Sequence, residues 1–295
     1  MLSSHGYLSL KNIHIKRNLI LNLNRIFADI SECIPNSNNG NDKNDFILEF
    51  KEDDYRCQHI KKILKLDIGD SLRGGIINMG MSNTWSIIRS DDNDGISIDI
   101  GNINDLEKRT ATNLVDLILA VPRPLRLERL LPVISCMGVG RIILVGGEKV
   151  EKDYFGSHLF RNPSAVKKCL VEGLEQAEVD YILPEIIVRK DLKKFLVMEE
   201  KEMFPSSSYY KFIAHPFPAG DTIPKRMKQY MNDNNQVDKN KKIVIVIGPE
   251  GGWTTEEVQT FIMNEYNLIN IGDRILRTDM AVPCLLGLAH EHIAI

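Results

Sequence analysis

The sequence has few cysteines, and none stands in a Cys-x-x-Cys pair. Cys33, Cys57, Cys136, Cys169 and Cys284 are odd in number and scattered. That pattern excludes a disulfide framework and a structural zinc site, and it favours a reducing compartment. His290 and His292 form a His-x-His pair. On a helix that spacing splays the rings to different faces, so a solvated helix end is expected and no metal. No apolar run approaches the roughly 18 residues of a membrane-spanning helix. A global basic field is missing too: 37 Lys and Arg against 40 Asp and Glu leave a formal net charge of -3. A polyanionic partner must therefore be met by local patches and shape. Acidic residues are absent from 1–28, where Lys11, Lys16, Arg17 and Arg25 accompany Ser3, Ser4 and Ser9. This composition fits an organellar transit peptide or a disordered basic tail, and so a cytoplasmic or an organellar (mitochondrial or plastid matrix) setting. No internal repeat is visible.

What is present is the composition of a soluble globular protein, 43% hydrophobic and 26% charged over 295 residues. That length is enough for two modest domains. The organising stretch is Lys241–Glu257. Ile243 to Ile247 is a run of β-branched apolar residues without polar alternation, the pattern of a strand buried on both faces in a parallel sheet. It ends at Gly248-Pro249-Glu250-Gly251-Gly252, where the glycines permit positive φ and let a ligand approach bare backbone. Thr254 and Glu257 sit at capping-box spacing, which predicts a helix from Thr255. Strand, glycine turn and helix N-terminus place backbone N–H groups at the carboxyl edge of a sheet, where α/β proteins bind ligands. On spacing alone the turn is either a ligand loop or a plain βα connection, because it fits neither GxGxxG nor GxxxxGK[ST].

A second stretch, Ile271-Gly272-Asp273-Arg274-Ile275-Leu276-Arg277-Thr278-Asp279-Met280-Ala281, follows a short strand expected at Asn267 to Ile271. The pair IGPEGG…E and G-x-RILR-T-D-x-A resembles the signature of the RsmE-type 16S ribosomal RNA uracil-N3 methyltransferases, in the SPOUT superfamily of knotted, S-adenosylmethionine-dependent enzymes. The fold class this implies is an α/β trefoil-knotted methyltransferase domain preceded by a small, mostly β, PUA-like barrel.

The rest of the chain divides accordingly. Residues 1–22 read as an extension, 23–105 as the PUA-like RNA-binding domain and 113–295 as the SPOUT domain, with the boundary in the charged stretch Asp105 to Asn113. The tracts 36–44 and 232–242 are polar, low-complexity inserts. In the first domain, strands are expected at Phe46–Phe50, Ser71–Ile77, Thr84–Ile88 and Ile96–Ile100, with a helix at Asp53–Leu66. The stretch from His59 to Asp70 resembles the family's H-x-x-x-V-L-R-x-x-x-G-D segment. Arg56, Lys61, Lys62 and Lys65 are then candidate phosphate contacts, although a lysine-rich solvated helix face reads the same way. Beyond the boundary, strands and helices alternate: strands at Leu114–Val121, Arg141–Val145, Ile182–Val188 and Tyr210–Ala214, helices at Leu125–Met137 (interrupted at Pro132), Ala165–Ala177 and Lys190–Glu199. That alternation predicts a doubly wound parallel sheet. A closing helix is expected over Ala281–Ile295, capped by Thr278 or Asp279, with Pro283 in or near its first turn.

The resemblance implies S-adenosylmethionine as methyl donor. It places the donor pocket on His215 and Pro216, on Ile247, Gly248, Pro249, Gly251 and Gly252, and on Ile271, Gly272, Ile275, Leu276, Thr278 and Ala281. A branched side chain at Gly251 is expected to fill that pocket. Uracil N3 must lose a proton before or during attack. Either Glu250 accepts it, or Arg274 and Arg277 stabilise the oxyanion that develops on the base. Glu250 can equally tie down the glycine turn, and either arginine can hold RNA phosphate. Arg123 stands where the family has a lysine and completes the RNA-facing set. Val133 and Cys136 fall where the family carries Lys and Glu, a departure on the RNA side. Implied partners are small-subunit ribosomal RNA and a second copy of the chain, paired through the closing helix with Cys284, Leu285, Leu286 and Leu288 as interface or core. Two other readings remain open: a non-catalytic RNA-binding assembly factor, and a nucleotide-binding enzyme, which the missing Walker lysine disfavours.

Overall fold

A computed structural model of the chain describes residues 25–36, 45–91, 95–108, 114–177, 180–216, 225, 238 and 240–293. The basic segment as far as residue 24, and most of both polar inserts, lie outside the described residues. The chain forms two compact units. The first comprises 1–26, 32–74 and 82–105, and the second 27–31, 75–81 and 106–295.

Most of a six-stranded sheet belongs to the first unit. Its strands are β1 (Ile26–Ala28), β2 (Ile34–Pro35), β3 (Asp45–Phe50), β4 (Ser71–Ile76), β5 (Gly80–Asp91) and β6 (Gly95–Asn102), in the order β1-β4-β5-β6-β3-β2. Leu48, Trp85, Ile87, Ile96 and Ile98 are buried in this unit. Trp85 lies so close to Gly74 that a Cβ there would fall 1.8 Å from the indole, so only glycine fits. Arg25 is 2% exposed. Its guanidinium donates to the carbonyls of Gly74 (2.8 Å) and Ser82 (2.7 Å). β5 is longer than the hydropathy predicts, because its polar residues Asn83, Thr84 and Arg89 face solvent while the backbone stays paired. The expected Asp53–Leu66 helix is one α turn, Tyr55–Gln58, running into a six-residue π-helical segment, His59–Leu64. Asp54 caps the turn, accepting from the Arg56 N–H.

The second unit contains a parallel sheet: β7 (Val115–Ala120), β8 (Val139–Val145), β9 (Glu185–Arg189), β10 (Tyr209–Ala214), β11 (Lys242–Ile247) and β12 (Asn267–Ile269), in the order β12-β10-β11-β7-β8-β9. Every neighbouring pair is parallel. β7 and β11 are central, and Val115, Leu117–Leu119 and Ile243–Ile247 are at most 3% exposed. The unalternating run in the sequence records that two-sided burial. Pro132 does not interrupt its helix, which runs continuously from Pro124 to Cys136. The carbonyl of Pro132 would lie 2.2 Å from a Cβ on Gly173, so that glycine lets the Pro163–Ala177 helix lie close. Ser135 donates to the Leu170 carbonyl across the same contact.

The closing helix is Thr278–Ile293 and starts earlier than expected. Thr278 is its first residue, not its cap: the N–H groups of Met280 and Ala281 donate to the Arg277 carbonyl, and the Thr278 hydroxyl is taken up elsewhere. Pro283 lies inside the helix, beyond the first turn. Leu285 and Leu286 are fully buried in the unit's own core, whereas Cys284 is exposed.

Candidate functional site

Three loops leave the carboxyl ends of β10, β11 and β12, adjacent strands of the second sheet. They enclose a pocket of about 290 Å³. Each residue assigned above to the donor pocket lines it: His215 and Pro216 after β10, Ile247, Gly248, Pro249, Gly251 and Gly252 after β11, and Ile271, Gly272, Ile275, Leu276, Thr278 and Ala281 after β12. Glycine backbone and aliphatic side chains make up much of the wall, joined by the polar or aromatic side chains of Lys149, Glu250, Trp253, Asn270 and Arg274. A Cβ on Gly248 would stand 3.0 Å from the Trp253 indole nitrogen. Trp253 is itself held in place, 6% exposed, with its ring 5.4 Å from Phe261. Gly252 and Gly272 turn at φ +68 and +101, where other residues are strained.

The loops are tied down by specific bonds. The Thr278 hydroxyl donates to the Gly248 carbonyl at 3.2 Å, joining the second loop to the start of the closing helix. The capping box is complete: the Thr254 N–H donates to Glu257 Oε2 (2.7 Å) and the Glu257 N–H to Thr254 Oγ1 (3.3 Å). The other oxygen of Glu257, which is 5% exposed, accepts the Glu148 N–H at 2.8 Å. One buried carboxylate thus caps the Thr255–Met263 helix and holds the loop after β8. From that loop Lys149 reaches the pocket, its ammonium donating to the Gly251 carbonyl at 3.0 Å.

The charged candidates separate. Glu250 lines the pocket, but its carboxylate is paired with Arg126 at 2.8 Å and accepts the Arg123 N–H at 3.4 Å. Those contacts anchor the glycine turn to the first turn of the Pro124–Cys136 helix, the anchoring role weighed for it above. Arg274 also lines the pocket. Arg277 does not, and its guanidinium pairs with Asp279 at 3.0 Å. Of the two arginines expected at the developing oxyanion, only Arg274 is thus at the pocket; the helix begins at Thr278, next to Arg277, whose guanidinium is engaged by Asp279. The His215 imidazole is held below its ordinary pKa by burial, so it is neutral near pH 7 and suits positioning. The His215 backbone N–H donates to the Ile269 carbonyl, fixing the loop after β10.

In the first unit the basic candidates also divide. Arg56 is bound by Glu32 and Asp54 (2.6 and 2.8 Å) and lies over the Phe50 ring at 4.0 Å. Those carboxylates raise its pKa against the opposing effect of burial. Lys61 is paired with Glu52 at 2.7 Å. Both are structural cations first. Lys62 and Lys65 are exposed, as is Arg123 in the second unit.

The sequence reading missed Lys149, Trp253, Asn270 and Leu285, which line the pocket, and Arg126 and Glu257, which fix its loops. Only Glu257 left a signal, as half of the capping box. Lys149 and Arg126 act across long sequence separations, which no local spacing reports. Among the described residues there is no cluster of three His, Cys, Asp or Glu side chains able to hold a metal ion, and no helix is long and apolar enough to cross a membrane.

This architecture has relatives. Residues 109–290 match the family model of the RNA methyltransferase domain. The ribosomal RNA small subunit methyltransferase E of Treponema pallidum is 30% identical over 250 residues, covering 83% of this chain and 86% of that protein. Ribosomal RNA small subunit methyltransferase E 1 of Borreliella burgdorferi is 27% identical over 241 residues, 81% of this chain and 90% of its own. Among solved structures, the ribosomal RNA small subunit methyltransferase E of Neisseria gonorrhoeae bound to S-adenosyl methionine superposes with a TM-score of 0.64 at 17% identity, over 91% of this chain and 97% of that one. The chain belongs to the RNA methyltransferase family, in its ribosomal RNA small subunit methyltransferase E branch.

Proposed function

We propose that this protein transfers a methyl group from S-adenosylmethionine to N3 of a uridine in small-subunit ribosomal RNA. The observation that carries the reading is the convergence of three loops, distant in sequence, into one backbone-lined pocket at the carboxyl edge of the sheet. Its residues fit the donor. Backbone N–H and C=O groups of the three loops match an adenine edge, and Ile247, Ile275 and Leu276 match its faces. Bound there, S-adenosylmethionine supplies an electrophilic methyl on its sulfonium. The chain's part is positioning, exclusion of water and charge stabilisation. Arg274, at the pocket, donates to the uracil oxygen that gains charge as N3 loses its proton. Arg277, three residues on and paired with Asp279, holds RNA phosphate or joins Arg274. Glu250 keeps the glycine turn in register through Arg126.

We read residues 23–105 as a PUA-like RNA-binding domain, with Lys62 and Lys65 as its phosphate contacts, and residues 113–295 as a SPOUT domain. The trefoil knot is inferred from the family resemblance, with support from the closing helix, which packs back against β7, β11 and the Pro124–Cys136 helix. Homodimerisation rests on the same resemblance and on the exposed Met280 and Cys284 of that helix. Mass spectrometry of ribosomal RNA nucleosides from cells with and without this protein tests the activity. The expected result is 3-methyluridine in the first and its loss in the second. Unchanged nucleosides, together with no S-adenosylmethionine binding in calorimetry, would leave a non-catalytic RNA-binding factor.

A further inference from the structure

The carboxyl edge of the sheet has a second concavity, on the far side of the loop that carries Lys149. It is an open crevice of about 620 Å³ between the ends of β8 and β9 and the 3-10 segment Lys152–Gly156. Gly147, Glu148, Phe155, Lys152 and Lys190 line it, with both lysines and Glu148 exposed. The Phe155 ring is half-buried and braced by Phe160 at 5.3 Å between centroids. The Lys190 ammonium lies 5.9 Å from the Phe155 centroid. Neither Lys152 nor Lys190 has an ion-pair partner among the described residues. Asp191, the other acid lining the crevice, is occupied in capping the next helix, where it accepts the Lys194 N–H at 2.9 Å.

We propose that this crevice holds an unpaired RNA nucleotide next to the one being methylated, its base stacked on Phe155 and its phosphate at Lys190 and Lys152. The inference rests on the methyltransferase reading and extends it to the acceptor strand. Three observations carry it. A braced aromatic face beside free cations is the recognition set for single-stranded RNA, in which bases stack on rings and phosphates meet lysines. Glu148 adds an acceptor for the N–H groups of a base edge, which a site for phosphate alone has no use for. The crevice and the donor pocket also share one wall: Glu148 faces the crevice, Lys149 faces the pocket, and Glu257 pins the loop between them. The crevice and the donor pocket are therefore lined by consecutive residues of one loop, which puts a strand in the crevice beside the donor pocket.

The test is binding of a short uridine-rich single-stranded RNA, read by fluorescence anisotropy, beside the same strand with one abasic nucleotide. Phe155→Leu keeps apolar packing on Phe160 and removes the flat ring. It is expected to weaken the intact strand about tenfold, the low end of losing one base–aromatic stack, while leaving the abasic strand and S-adenosylmethionine binding unchanged. Lys190→Ala is expected to weaken both strands alike and to reduce the salt slope by about 0.7, the contribution of one single-strand phosphate. Wild type that binds intact and abasic strands equally, or Phe155→Leu indistinguishable from wild type on both, overturns the proposal. Should Phe155→Leu fail to fold, the exposed double variant Lys152→Ala, Lys190→Ala decides: an unchanged affinity and salt slope overturns it. If wild type binds RNA in this base-dependent way yet methylates nothing, the methyltransferase reading falls and the crevice stands.

Discussion

The two edges of the parallel sheet are built from opposite materials. At the amino edge the polar groups are side chains, buried and paired. Asp116 in β7, fully buried, receives Arg141 of β8 at 2.8 Å and the Tyr209 hydroxyl of β10 at 2.9 Å. Burial, reinforced by the Asp116 charge, pushes the Tyr209 hydroxyl up to about 12, so it stays a donor at any physiological pH. Beside it, Glu200 and Lys211 form an ion pair at 2.8 Å with side chains 0% and 3% exposed, and Tyr266 donates to the same carboxylate oxygen. At the carboxyl edge much of the polar surface is backbone, held on glycine turns and left facing a pocket, with the side chains of Arg274 and Lys149 beside it. Side-chain pairs weld strands together but fill the space they occupy. Bare backbone leaves room for a ligand and lends the loops no packing of their own, so they are anchored from outside by Thr278, Glu257 and Arg126. Stability and chemistry are thus separated by the length of a strand.

The strongest way to break this comparison is at the amino edge. Glu200→Ala leaves the Lys211 ammonium buried without its partner, which costs about 3–5 kcal/mol. A fall in melting temperature on the order of 10 °C is expected from that loss. Donor affinity, measured by calorimetry well below the transition, is expected to stay within about twofold. A collapse of donor binding in the folded variant would mean that the two edges are coupled and the division above is false.

At the pocket, the arginines sharpen the comparison within one loop. Arg274 lines the pocket and Arg277 is turned to Asp279. The donor's sulfonium gains nothing from a nearby cation, so Arg274→Ala is expected to leave S-adenosylmethionine affinity within a few-fold. Turnover should fall roughly 10²-fold, the scale of losing one oxyanion donor. Arg277→Ala is expected to show most of its effect in RNA affinity, with a flatter salt dependence. Single-turnover methylation beside RNA titrations separates the two, and loss of donor binding in Arg274→Ala would contradict its acceptor-side role.

How far these features could be read from sequence follows the same line. The buried run Ile243–Ile247, the turn after it and the capping box are local patterns, and each appears as a strand, a glycine loop and a capped helix. The three-loop pocket was legible only through the family resemblance, which two compact motifs carry. The partners that hold those motifs were not, since Glu250–Arg126 spans 124 positions and Glu257–Glu148 spans 109. Helix caps misled in the other direction. Thr278 reads as an N-cap by residue type, but its hydroxyl serves the Gly248 carbonyl across the pocket. The π-helical turn at His59–Leu64 has no spacing signal that distinguishes it from an α-helix of the same apolar face.

The smallest expected difference lies between two neighbouring glycines, and it moves the weight the sequence put on one of them. Both stand in the turn after β11, and spacing points to Gly251 as the position a side chain would block. The structure points to Gly248. A Cβ there meets the Trp253 indole at 3.0 and 3.2 Å, and that ring is buried and backed by Phe261, so it cannot give way. A Cβ on Gly251 meets the aliphatic stem of Lys149 at 3.2 Å or more, a flexible side chain with solvent to move into. Gly248→Ala is therefore expected to strain the loop by about 1–3 kcal/mol, the range of overpacking. Carried into binding, that weakens S-adenosylmethionine about tenfold or more. Gly251→Ala displaces Lys149 and is expected to cost about threefold, the low end of one hydrogen bond's net worth. Titration calorimetry on the two folded variants ranks them directly. A larger loss at Gly251 would show that the donor lies against Gly251 and Lys149, with Gly248 as mere packing beneath the turn.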